Sequence, residues 1–89
     1  MYFIKLDDLK TVNQLAKLCE KYKNYMDIDI CHGRYIVDGA SVLGVASLIG
    51  HIVRINPILK EDILIADFFK ELKGIGGWDN TTKNPARFV

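Results

Sequence analysis

The chain changes its hydrophobic period several times, and each change marks an element. Tyr2, Ile4 and Leu6 alternate with Phe3 and Lys5, the two-residue period of a half-buried strand. The spacing then lengthens. Val12, Leu15, Ala16, Cys19 and Tyr22 fall on one helical stripe, with Asn13, Gln14, Lys17, Glu20 and Lys21 on the opposite side. The start of this helix is open by one turn, because Asp8 suits a helix beginning at Leu9 while Thr11 with Gln14 forms a capping box. Met26, Ile28 and Ile30 alternate with Asp27, Asp29 and Cys31, and after His32 and Gly33 the run Tyr35, Ile36, Val37 follows. This is the signature of two antiparallel strands joined by a tight turn.

The stretch from Asp38 to Ile55 is the most informative. A turn (Asp38, Gly39), a capping serine (Ser41) and a short, small-sided helix lead without spare residues into a fourth strand, in which His51, Val53 and Ile55 alternate with Ile52 and Arg54. Proline has no N–H for the ladder, so this strand is expected to end before Pro57. In the last helix Ile65, Phe68, Phe69 and Leu72 share a face. Glu61 and Asp62 suit its positive end, and Gly74 is placed to terminate it in a left-handed residue.

The order βαββαβα predicts an α+β open-faced sandwich, a four-stranded antiparallel sheet with three helices on one face. Residues 1–73 make one domain. From Gly74 to Val89 the chain has glycines and polar residues but no period, and reads as a flexible or loosely docked tail, with Trp78 and Phe88 able to pack back.

Composition narrows the function classes. The chain has 89 residues, of which 49% are hydrophobic, enough for a single small core. Acids and bases are interspersed to a net charge of +1, so no single-sign patch is expected to gather nucleic acid or anionic lipid. The opening MYFIKLDDLK fits neither a signal peptide nor a membrane span, which points to a cytoplasmic protein. Cys19 and Cys31 have no metal-ligand spacing and are expected to be free thiols. No metal, cofactor or catalytic constellation is expected.

One segment carries a family resemblance. Ser41, Val42, Leu43, Gly44, Val45, Ala46, Ser47 and Leu48 are similar to the second helix of HPr, the histidine-containing phosphocarrier of the bacterial sugar phosphotransferase system, and the order of elements from Tyr2 to about Leu72 agrees. The resemblance implies the HPr-like fold. It also implies a phosphoacceptor histidine at the start of the first helix, followed by alanine, arginine and proline. In this chain that junction reads Asp7, Asp8, Leu9, Lys10, Thr11, which puts Asp8 near the histidine's place and Lys10 near the arginine's. The histidines present, His32 and His51, are expected far from that helix.

The resemblance further implies that Ser41 is a regulatory phosphorylation site, that Val42, Leu43 and Ala46 form an apolar docking patch, and that Lys10, near the arginine's place, is a further partner-binding candidate. A serine at this point is also a preferred helix cap, and the cap alone accounts for it more simply. The expectation is therefore a non-enzymatic regulatory module that binds proteins, with a phosphotransferase-system enzyme, a kinase or a transcription regulator as partner. The alternative is a working phosphocarrier with an unrecognised acceptor such as Asp8. A third reading is a plain α+β interaction domain.

Overall fold

The structure, a computed structural model, describes residues 1–60 and 65–80. In chain order the elements are β1 (Tyr2–Lys5), α1 (Leu9–Tyr22), β2 (Met26–His32), β3 (Tyr35–Asp38), α2 (Val42–Ala46), β4 (Ile52–Leu59), α3 (Ile65–Gly74) and β5 (Trp78–Asp79). The strands form one antiparallel sheet in the order β3-β2-β4-β1-β5.

The alternation read from the sequence explains the core. Ile4 of β1, Met26, Ile28 and Ile30 of β2, and Val53 and Ile55 of β4 point to one face of the sheet. They join Val12, Leu15, Leu18, Cys19 and Tyr22 of α1, Val45 of α2, and Phe68 and Leu72 of α3 in a single buried cluster. Tyr2 lies on the same face, its ring stacked on Phe69 with centroids 3.6 Å apart.

Strand count departs from the expected four. The cause sits where the tail was expected to begin. Helix α3 continues through Gly74, and the left-handed residue is Gly76, with φ 107°. Gly76 N–H donates to Lys73 O (3.1 Å) and Gly77 N–H donates to Leu72 O (2.9 Å), the paired bonds of a Schellman turn. The turn brings Trp78 and Asp79 alongside Phe3 and Tyr2 as the fifth strand. Glu61, Asp62 and Phe88 lie outside the described residues.

Strand β4 also runs past Pro57, and the geometry accounts for it. Ile28 O accepts from Gly39 N–H at 2.8 Å, so the backbone polar groups of Ile28 face away from β4. Pro57, the partner of Ile28, therefore occupies a non-hydrogen-bonded pair, and its nitrogen points away from β2. On that side β1 pairs with β4 only as far as Tyr2 opposite Ile55, so no ladder bond is forfeited.

Candidate functional site

Helix α1 begins at Leu9, and Asp8 is its cap: Asp8 Oδ1 accepts from Thr11 N–H at 3.0 Å and from Thr11 Oγ1 at 3.2 Å. These bonds, the backbone one foremost, hold the Asp8 carboxyl below the usual carboxylate range. The carboxylate is thus exposed but already engaged as a cap. Lys10, two residues on, is exposed in the first turn.

The β1–α1 junction has a neighbour that the sequence did not suggest. Leu6 N–H donates to His51 O at 3.0 Å, and Gly50 N–H donates to Leu6 O at 2.7 Å. The expected separation of the histidines from the opening helix is therefore corrected for His51, whose backbone is bonded to a residue two positions before the Asp8 cap. Its ring packs against that of His32, with centroids 4.2 Å apart and planes tilted by 37°. The reason is sheet order: β4 lies between β1 and β2, so the start of β4 adjoins the ends of both.

Ser41 caps α2. Its Oγ accepts from Gly44 N–H at 3.3 Å, and Ser41 is exposed. Helix α2 has little to hold it except Val45, fully buried, and Leu48 just beyond it. Anchoring by these residues turns Val42 and Leu43 outward, at 42% and 86% exposure, whereas Ala46 is half-buried and packs against the core. Two of the three expected patch residues are thus open to solvent together. A groove of about 250 Å³ runs beside Val42, lined also by Ala40 and by Asn13, Ala16, Lys17 and Glu20 of α1. The α1 side of this groove was not anticipated, because nothing in the sequence says which helix flank α2 will face.

Both cysteines are buried and free. Burial pushes the Cys19 thiol up to about 12, so it is inert as a nucleophile at neutral pH. Among the described residues no cluster of three or more His, Cys, Asp or Glu side chains is placed to hold a metal ion, and no helix is long and apolar enough to cross a membrane.

Comparison of the chain with family models, with curated proteins and with solved structures gave no match.

Proposed function

We propose that the protein is an HPr-like regulatory module that binds other proteins through α2, under control of phosphorylation at Ser41. The observation that carries this reading is the pairing of an exposed serine cap with the adjacent exposed side chains of Val42 and Leu43. A dianionic phosphate on Ser41 changes the charge beside an apolar patch while leaving the core untouched. Lys17, in the groove beside Val42, supplies a cationic neighbour for an acidic partner, and Lys10 is exposed on the first turn of α1. The partner class is a transcription regulator or a phosphotransferase-system protein, in the cytoplasm.

The test uses two labelling reactions on the same chain. With ATP and HPr kinase, phosphate is expected on Ser41 and none on a Ser41→Ala variant. With phosphoenolpyruvate and Enzyme I, no acid-labile phosphate is expected. Label in the second reaction overturns the reading.

One observation favours a second reading, that of a phosphocarrier. The hydrogen bonds between Leu6 and the Gly50–His51 segment bring an imidazole-bearing residue to the β1–α1 junction, and imidazole is the nucleophile that such chemistry uses near neutral pH. In that case the Enzyme I reaction labels the protein and His51→Ala abolishes the label. Loss of label on Asp8→Asn instead identifies the acyl-phosphate variant.

A further inference from the structure

The helices bury one face of the sheet. Among the described residues nothing packs on the other. Register sets out that outer face in rows. One row crosses all the strands: Ile36 of β3, Cys31 of β2, Arg54 of β4, Phe3 of β1 and Trp78 of β5. Phe3 and Trp78 stack with centroids 6.2 Å apart. Above and below the row, Ile58 and Ile52 of β4 also point outward. Ile36 is 64% exposed, Ile52 51% and Ile58 50%, a concentration of apolar side chains that an outer sheet face bathed in water does not need.

Charges on this face are arranged in an unbalanced way. Asp29 and Asp38 are direct partners across β2 and β3, and like charges so placed repel. Asp38 Oδ1 at least accepts from Ala40 N–H at 3.0 Å, whereas Asp29 has no ion-pair partner among the described residues. Arg54 is half-buried in the centre of the row and likewise has no carboxylate partner among the described residues. Arg54 and Asp29 sit two rungs apart on neighbouring strands and so share a face, for Cys31 is opposite Arg54, Ile30 opposite Ile55 and Asn56 opposite Asp29.

We propose that the outer face of the sheet is a homodimer interface in which Arg54 of each copy pairs with Asp29 of the other across a two-fold axis. An isologous contact requires a self-complementary surface, and a cation and an anion displaced from each other on one face meet reciprocally under a two-fold rotation. The same rotation covers the apolar row on both copies at once. A uniformly acidic or basic partner would satisfy only one of the two charges, which is why a second copy fits better than nucleic acid or an anionic surface. Five strands at about 4.8 Å spacing give a face whose burial on two copies is on the order of 1,000 Å², the low end of specific interfaces, and the dimer is expected to be weak, with a Kd in the micromolar range.

Sedimentation of the full chain over concentrations up to roughly 500 µM tests this, since a micromolar dimer is then well populated. The expected result is a concentration-dependent dimer, weakened at least about tenfold by Arg54→Asp and by Asp29→Arg and recovered in the double variant R54D/D29R. Ile58→Lys, on an exposed side chain that the core does not need, is expected to give monomer with an unchanged far-ultraviolet spectrum. It decides the matter if the charge variants fold poorly. Leu43→Glu on α2 is expected to leave the dimer intact. A wild-type chain that stays monomeric, a dimer insensitive to Ile58→Lys, or one broken by Leu43→Glu overturns the proposal. Monomeric wild type and insensitivity to Ile58→Lys leave the Ser41 reading untouched, because α2 lies on the opposite face; a dimer broken by Leu43→Glu would instead place self-association on α2.

Discussion

Tyr22, at the last turn of α1, donates its phenol proton to Glu71 of α3, and Lys21 Nζ donates to the other carboxylate oxygen of Glu71 at 2.8 Å. The carboxylate therefore ties the two long helices together at the surface, just above the edge-on contact of Tyr22 with Phe68 (centroids 5.4 Å). The bond to Glu71 raises the Tyr22 hydroxyl to about 12, and Glu71, bonded first by Lys21 and then by Tyr22, is held below its usual range. A raised tyrosine contributes stability that is complete below its unfolded value of about 10 and is lost as pH climbs through the folded value. A lowered glutamate does the opposite, contributing above its unfolded value and losing that contribution as pH falls. The melting temperature is expected to fall between about pH 10 and 12, and more gently below about pH 4. Tyr22→Phe, measured by thermal melts across that range, removes the Tyr22 share of the alkaline dependence, leaving the shares of the raised Cys19 and Tyr2, and costs about 1 kcal/mol at neutral pH.

Asp8 predicts a second acid-side effect. Its carboxyl is lowered chiefly by the Thr11 N–H bond, so the cap is complete above the unfolded carboxylate value and weakens as pH falls through the folded one. Asp8→Ala is expected to lower the melting temperature at pH 7 and to bring variant and wild type together as pH drops through the lowered folded value, below which the wild-type carboxylate is protonated too. Asp8→Asn or Asp8→Ser retains an acceptor and keeps most of the stability at pH 7. A cap that makes no difference at neutral pH in the melts would leave Asp8 free for another role.

The core stripe was legible because it depends on period alone. Val12, Leu15, Ala16, Cys19 and Tyr22 all turn inward, as do Phe68 and Leu72. What escaped the sequence depends on neighbours rather than on local pattern. Two residues carry no period, so β5 at Trp78–Asp79 exists only because the Schellman turn at Gly76 aims the chain at β1. The passage of β4 through Pro57 depends on β1 having ended, and the nearness of His51 to Leu6 depends on β4 lying between β1 and β2. At the candidate site the Ser41 cap and the small residues of α2 were readable. Which of Val42, Leu43 and Ala46 faces water was settled by the burial of Val45 and Leu48, not by composition.

Gly39 shows how a turn residue can be demanded by packing. The Asp38–Gly39 dipeptide reads as a simple turn, yet a Cβ on Gly39 would sit 2.6 Å from Cys19 Sγ and 3.0 Å from Ile28 O. The sulfur belongs to a short, buried side chain, and the carbonyl is already accepting the Gly39 N–H, so neither can move aside cheaply. Gly39→Ala is expected to destabilise by about 1–3 kcal/mol in chemical denaturation. Cys19→Ala removes the closer contact, so the Gly39→Ala penalty measured in that background should shrink, a coupling that a purely conformational role for the glycine would not produce.

The surface of α2 separates folding from binding, which makes the proposed function testable without a stability artefact. Ser41→Ala removes a cap whose 3.3 Å bond to Gly44 N–H is long, so the loss is expected near the low end of capping effects, about 0.5 kcal/mol. Leu43→Glu touches a side chain that is 86% exposed and should change stability by no more than about 0.5 kcal/mol. In titrations of Ser41-phosphorylated protein with a transcription regulator of the proposed partner class, the same Leu43→Glu change is expected to weaken binding at least about tenfold, since a bulky apolar anchor is replaced by a charge. Ser41→Ala, which cannot be phosphorylated, should bind no more tightly than the unmodified protein. Equal affinity of the regulator for wild type and Leu43→Glu, with both folded, would mean that α2 is not the docking surface.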